Sequence, residues 1–223
     1  MNDGSSTKAG NGGELKRELY FPTLIYHADI PGADRLNDDL KPSIYALRSN
    51  DQDGIVRSNM QQVGAWHSRL NLHQHEDYRK LATAILAYVQ QIFTDLGYDP
   101  GYEASFDNFW ANINPKYGYN RNHIHPNVLW SGVYYVQAPA DSGRIFFGDP
   151  RSQSLVLTPR YASDQPRKPE VWSEVYFEPV EGRVILFPAW LTHEVEPNVS
   201  DKTGFDGDRI SISFNVRQVW RSA

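Results

Sequence analysis

Five consecutive residues, Asn122-His123-Ile124-His125-Pro126, hold the first pair of chemistry-bearing side chains. Side chains alternate faces along an extended strand, so His123 and His125 point to one side. Imidazole nitrogens converging from one face suit a first-row transition metal. A third imidazole stands far downstream, His193 in Pro188-Ala-Trp-Leu-Thr-His-Glu-Val. It follows the turn Glu181-Gly182 and can approach the first pair only if the sheet closes on itself, as a barrel does. A single His-x-His is more often two ordinary surface or core histidines. Only the three together point to a metal.

A second stretch, Asp208-Arg209-Ile210-Ser211-Ile212-Ser213-Phe214-Asn215, sorts into two faces on a strand. Arg209, Ser211, Ser213 and Asn215 share one face, and Ile210, Ile212 and Phe214 share the other. An arginine fork beside a serine hydroxyl is good chemistry for a carboxylate, because the pairing is bidentate and charge-assisted. Read alone, the same alternation also describes a half-buried strand with a polar outer face.

The rest of the chain has to bring these pieces together. Its 223 residues suffice for one well-buried domain. Aromatic residues make up 13% of it, which leans towards β structure. Cysteine is absent, which excludes disulfide frameworks, thiolate zinc sites and cysteine nucleophiles. A thiol-free chain fits a reducing compartment, and the expected setting is the cytoplasm. The net charge of -5 argues against a nucleic-acid partner. No apolar run approaches the ~20 residues of a membrane span. Residues 1–13 lack the apolar core of a secretory signal.

Residues 1 to about 16 read as a flexible tail. Residues 17–223 read as a single domain, with helical support over about 30–100 and a β core over about 104–220. Leu19–Tyr26 reads as an edge strand interrupted by Pro22. Leu36, Leu40, Ile44 and Leu47 predict a helix from Ala33 to about Arg48, kinked or split at Pro42. Asn50–Gly54 reads as a turn, and Ile55–Ser68 as an extended segment partly over a cleft. The stripe Leu81, Ile85, Val89, Ile92 and Leu96 predicts a helix over Glu76–Leu96. Glu76 and Asp77 suit its positive end, and Gly97 its stop.

Short β-rich segments then follow near Ser105–Asn114, Leu129–Gln137, Arg144–Gly148, Leu155–Thr158, Val175–Glu178, Arg183–Phe187, Thr192–Glu196 and Arg209–Val219. Strands of this kind after a helical flank predict a mainly β protein with flanking α-helices. The expected core is a double-stranded β-helix, a jelly-roll and cupin-like barrel.

Taken in order, these pieces resemble the iron(II)/2-oxoglutarate-dependent oxygenases. That family carries His-x-Asp/Glu, a second histidine well downstream, and Arg-x-Ser soon after. Here His123-Ile124-His125, His193 and Arg209-Ile210-Ser211 stand in those places. Ser131-Gly132-Val133-Tyr134-Tyr135-Val136, Gly143-Arg144-Ile145-Phe146-Phe147 and Glu181-Gly182-Arg183-Val184-Ile185-Leu186-Phe187-Pro188 resemble the intervening strands. The likeness covers about Ser105 to Val219. It is nearest to a group of uncharacterised 2-oxoglutarate oxygenases of bacteria and phages that share a His-x-His-Pro…Ser-Gly-Val-Tyr-Tyr signature.

The resemblance implies Fe(II), 2-oxoglutarate and O2 as cofactor and cosubstrates, and hydroxylation of a substrate with release of succinate and CO2. It implies that His123 and His193 hold the metal, and that Arg209 and Ser211 hold the far carboxylate of 2-oxoglutarate. Asn112 and one of Tyr134 and Tyr135, by preference Tyr135, would reach the cosubstrate. Two departures bear on this. His125 stands where the family carries a carboxylate, which leaves three arrangements. His125 is the preferred third ligand; water beside two histidines, or Asp149 of Gly148-Asp149-Pro150-Arg151, are the others. Arg209 also lies further beyond His193 than the family norm. The excess falls in the polar loop Asn198–Asp208, which lengthens at little cost, and Arg217 is the fallback.

Trp110 and Asn114 share the face of Asn112. A second His-x-His, His73 and His75, has no matching Arg-Ser strand and is not expected to bind metal. Gln62, Trp66 and Ser68 are candidates for the substrate side, and Trp190 for a cleft wall or core. Two other readings compete. One is a cupin-type enzyme with three histidines and no 2-oxoglutarate; the other is a jelly-roll binding module with a structural metal. The substrate, a small molecule or a peptide side chain, is open in the sequence, as is the oligomeric state, a homodimer included.

Overall fold

Alternation decides which way each strand side chain faces, and the arrangement of the strands follows from where the apolar faces can go. The computed structural model describes residues 15–221, so the expected tail lies almost wholly outside the described residues. The chain begins with β1 (Tyr26–Asp29), α1 (Ala33–Asn50), α2 (Asp53–Arg57), β2 (Trp66–His67) and α3 (Glu76–Asp95). It continues through β3 (Tyr102–Asn114), β4 (Asn120–His123), β5 (Trp130–Gln137), β6 (Ile145–Gly148) and β7 (Glu174–Phe177). It closes with β8 (Arg183–Pro188), β9 (His193–Val195) and β10 (Arg209–Trp220). The larger sheet has the order β1-β8-β5-β10-β3-β2, and the smaller β4-β9-β6-β7. These two antiparallel sheets form the double-stranded β-helix expected from the sequence.

The larger sheet is largely buried on both faces for two different reasons. Ile210, Ile212, Phe214 and Val216 of β10 pack with Phe109, Ala111 and Ile113 of β3 and with Tyr134 and Val136 of β5. α1 and α3 cover this face through Leu36, Leu40, Ile44, Leu81, Ile85 and Val89. The opposite face turns towards the smaller sheet, where Val133, Tyr135, Ile185 and Phe187 meet Ile145, Phe147 and Leu191. β5 is buried along its whole length because it lies between these two layers. Burying one large apolar side chain such as Phe214 contributes ~2–3 kcal/mol.

Four local expectations change in context. Pro42 lies inside α1 without splitting it. The carbonyl that loses its helical partner there belongs to Asp38, which is exposed and can be hydrated. The edge strand starts at Tyr26 and not at Leu19, because Pro22 has no N–H for a ladder and Phe21 takes φ 59°. Asn50–Gly54 is not simply a turn, since it leads into the short helix α2. No strand forms at Leu155–Thr158. Ser152–Leu155 is a 3-10 turn, and Leu155, Val156 and Leu157 are exposed. β propensity there finds no partner strand. Among the described residues, no helix is long and apolar enough to cross a membrane.

Candidate active site

β4 and β9 pair antiparallel in the smaller sheet, with His123 directly opposite His193. That register sets the two rings 4.3 Å apart, centre to centre. His125 lies beyond the end of β4, where its N–H donates to the Ala189 carbonyl at 2.9 Å. This tether brings His125 Nε2 to 3.3 Å from His193 Nε2. One ligand atom from each of the three histidines lies within 4.8 Å of the others.

The tautomers are set by the backbone. His193 Nδ1 is 2.9 Å from the Leu191 carbonyl, and His123 Nδ1 is 2.6 Å from the Arg121 carbonyl. A carbonyl only accepts, so the neutral tautomer of each ring has its proton on Nδ1 and its lone pair on Nε2. A shared proton could satisfy two facing nitrogens, but a metal ion satisfies three. This is the arrangement in which an outer-shell carbonyl orients a ligating imidazole.

Burial supports the same state. His193 is 4% exposed and packs against Phe187 and Phe147. Desolvation, followed by the neighbouring histidines, pushes its pKa down to about 3. Desolvation and His123 push His125 down to about 4. Both rings therefore stay neutral at physiological pH, which is the form that binds metal.

The larger sheet supplies the facing wall. Ser211 of β10 lies opposite Asn112 of β3 on one side and Tyr135 of β5 on the other. One rung deeper, Arg209 pairs with Asn114; one rung outward, Ser213 pairs with Trp110 and Val133. Arg209 is 1% exposed. Its Nη1 donates to the carbonyls of Ser142 and of Glu196, the latter at 3.1 Å. Burial lowers its pKa to about 10, which still leaves it charged at neutral pH. Among the described residues no carboxylate pairs with it, and the nearby Glu196 carboxylate is taken by Arg144 at 2.8 Å. The Tyr135 hydroxyl is buried without a hydrogen-bond partner among the described residues. A buried cation and an orphaned hydroxyl facing one space form a donor set that fits a carboxylate.

One cavity of about 150 Å³ joins the two walls; His123, His125, His193, Arg209, Ser211, Tyr135 and Asn112 all line it. Asn112 Nδ2 also donates to Ser213 Oγ at 3.1 Å, which holds its amide on the cavity side. Gly143 makes room for the guanidinium: its φ is 97°, and a Cβ there would stand 2.6 Å from Arg209 Nη1.

Several sequence candidates lie elsewhere. Tyr134 points away from the cavity and donates to Asn37 Oδ1 at 2.7 Å under the helices. Strand alternation forces this once Tyr135 faces inward. Asp149 is spent on a loop, bound by Arg151 at 2.8 and 2.9 Å and by Ser154 at 3.1 Å. Arg217 is exposed and pairs with Asp107 at 3.5 Å on the outside. Trp66 is core, with its indole N–H on the Asp51 carbonyl, and Ser68 Oγ accepts the Ala111 N–H. Gln62 reaches Met60 Sδ and does not line the cavity. His73 packs on Phe106 and Phe109, and Trp190 is exposed beside a separate groove.

The cavity wall also includes Asn59 and His67, which no sequence motif marks. Both lie in the irregular stretch before α3, where no periodicity marks an inward face. Only the pairing of β2 with β3 brings His67 opposite Asn112.

Residues 108–215 match the family model described as "Putative 2OG-Fe(II) oxygenase". No curated protein matches the chain. A Pseudomonas putida prolyl-4-hydroxylase aligns with 87% of this chain and 93% of its own, with TM-score 0.58 and 16% identity. The epimerase SnoN, in complex with Fe3+, alpha ketoglutarate and nogalamycin RO, covers 90% and 82%, with TM-score 0.57 and 14% identity. A Trichoplax adhaerens prolyl hydroxylase, in complex with a hypoxia inducible factor peptide fragment, covers 86% and 83%, with TM-score 0.56 and 13% identity. At these identities the likeness to solved structures shows the fold. The matched segment, just under half of the chain, contains the three histidines, Arg209 and Ser211, and is similar to the 2OG-Fe(II) oxygenases, whose chemistry takes Fe(II), 2-oxoglutarate and O2.

Proposed function

We propose that this oxidoreductase is a hydroxylase in which His123, His125 and His193 hold Fe(II) through Nε2. Arg209, with Tyr135, Ser211 and Asn112, holds the far carboxylate of 2-oxoglutarate. One observation carries the reading: a single cavity joins three converging imidazoles to a buried guanidinium that has no carboxylate partner among the described residues. Bound Fe(II), O2 and 2-oxoglutarate supply the oxidising power, with the keto acid leaving as succinate and CO2 while one oxygen atom enters a substrate C–H bond. The chain's own task is placement. The Leu191 and Arg121 carbonyls hold the Nδ1 protons and so aim Nε2 inward. Arg209 balances the cosubstrate's charge, and the Tyr135 hydroxyl gains the acceptor that the folded chain denies it. Phe147 and Phe187 keep water from the back of the site.

A three-histidine enzyme without 2-oxoglutarate would leave the Arg209 charge and the Tyr135 hydroxyl without an anion to bind, which favours the cosubstrate reading. The cavity, at about 150 Å³, is smaller than the ~300–1,000 Å³ that engulfs a drug-sized ligand. The substrate therefore docks at the rim. The peptide fragment and the nogalamycin RO held by two of the similar structures keep both a peptide side chain and a small molecule as substrate classes. A chain without cysteines fits a cytoplasmic enzyme.

Incubation with Fe(II), 2-oxoglutarate, O2 and ascorbate is expected to release succinate, and His123→Ala or His193→Ala to abolish both turnover and iron binding. His125→Ala is expected to lose stoichiometric iron. No succinate, together with no effect of 2-oxoglutarate on melting temperature, would sink the reading. Tight stoichiometric iron in the His125 variant would hand the third position to water.

A further inference from the structure

The rim of the cavity carries a polar group that neither the metal nor the cosubstrate uses. Trp110 lies 6.3 Å from the His125 ring, and His67 stacks on Trp110 at 5.5 Å with the planes 12° apart. His67 is held in one orientation. Its Nδ1 is 2.6 Å from the Ser68 carbonyl, so that nitrogen carries the proton. Its own carbonyl accepts from Arg57 Nε and Nη2 at 3.3 and 3.1 Å. Its backbone lies opposite Asn112 in the sheet. This leaves Nε2 as an unprotonated acceptor on a residue that lines the cavity, with no hydrogen-bond partner among the described residues. Burial lowers the pKa of His67 below its ordinary value, so the ring stays neutral.

The charges around this wall narrow what it can take. Among the described residues no aspartate or glutamate lines the cavity, so an ammonium group finds no counter-ion. The cavity's lining cation, Arg209, sits at the deep end, and Arg57 is engaged by Asp51 and by the His67 carbonyl. A carboxylate at the rim would face the lone pair of His67. A neutral O–H or N–H has a ready acceptor there, beside the flat apolar surface of Trp110.

We propose that His67, seated on Trp110, is a specificity-determining residue that selects a neutral substrate carrying an O–H or N–H donor, an alcohol or an amide, over an ammonium or a carboxylate. The inference rests on the oxygenase reading above. Nε2 takes the donor and thereby fixes which C–H group of the substrate faces the metal. The site removes no proton here; its role is orientation.

The test uses the whole 223-residue chain loaded with Zn(II), which is redox-inert, and saturated with 2-oxoglutarate. Cyclohexanol, cyclohexylammonium and cyclohexanecarboxylate serve as size-matched probes, followed by the imidazole 15N resonances of His67 and by dissociation constants. Cyclohexanol is expected to shift His67 Nε2 saturably and to bind about tenfold tighter than either charged probe, the worth of one hydrogen bond. His67→Phe keeps the stack on Trp110 and is expected to lose that preference, while His67→Gln, which retains an acceptor, restores part of it. Equal binding of cyclohexylammonium, unchanged cyclohexanol binding in a folded His67→Phe variant, or no His67 shift with any probe overturns the proposal. Failure of the oxygenase reading is separate. It would appear as the absence of a 2-oxoglutarate effect on the melting temperature of the parent protein before any probe is added.

Discussion

Replacing Arg209 by methionine separates the cosubstrate role of this residue from its place in the fold. Its Nη1 donates to the Ser142 and Glu196 carbonyls, and deletion leaves both acceptors in a buried wall. Each unmet acceptor costs about 1 kcal/mol, partly offset because a desolvated charge also disappears. A net loss of ~1–2 kcal/mol lowers the melting temperature of a chain this size by only a few degrees. The effect on 2-oxoglutarate is larger. Charge-assisted hydrogen bonds contribute about 1.5–3 kcal/mol each, and a bidentate guanidinium–carboxylate contact makes two. Tyr135 and Ser211 remain, so the loss falls towards the low end, ~3–4 kcal/mol, or two to three orders of magnitude in Kd. Arg209→Lys keeps the charge without the fork and is expected to weaken binding about tenfold. Calorimetric titration of 2-oxoglutarate into anaerobic Fe(II)-loaded protein measures this, with circular dichroism as the folding control. A folded Arg209→Met protein that binds 2-oxoglutarate within about threefold of the parent, a difference under 1 kcal/mol, refutes the clamp.

Four further outcomes follow from the same geometry. Tyr135→Phe removes a hydroxyl with no partner among the described residues, so melting temperature should hold while 2-oxoglutarate binding weakens about fivefold. Tyr134→Phe should do the reverse, since it strands buried Asn37 and costs ~1–2 kcal/mol of stability without touching the cosubstrate. The metal-free protein should lose stability as pH falls from about 6.5 towards 3. His193 has a folded pKa of about 3, below its unfolded value, so its contribution is complete above the unfolded pKa and is lost on the way down. The loss is on the order of 3 kcal/mol by pH 4, and His193→Phe should flatten the slope of melting temperature against pH. Gly143→Ala forces φ 97° on a residue with a Cβ and crowds Arg209. It should destabilise by ~1–3 kcal/mol and weaken 2-oxoglutarate binding, read by thermal shift with and without the cosubstrate.

Much of the architecture was legible because it rests on local periodicity. α1 and α3 fall where the helical stripes of Leu36, Leu40 and Ile44 and of Leu81, Ile85 and Val89 predict them. β10 sorts Ile210, Ile212 and Phe214 to the helices and Arg209 and Ser211 to the cavity, as its alternation requires. The errors came where propensity had no partner to act on. Leu155–Thr158 is rich in strand-forming residues yet exposed, and β4 is a four-residue strand that exists only because β9 pairs with it.

By itself, the order of residue types determined the fold class, the inward face of β10 and the three histidines able to share a metal. It could not decide between Tyr134 and Tyr135, because alternation says only that neighbours face opposite ways. Packing decided it, by laying α1 over the face that holds Tyr134 and leaving the Tyr135 hydroxyl beside Arg209. Nor could it show that Asp149 is occupied by Arg151, or that His67 and Asn59 meet the cavity. Those placements depend on which distant segments are buried against one another. That is a balance of burial and pairing over the whole chain, and no window of neighbouring residues contains it.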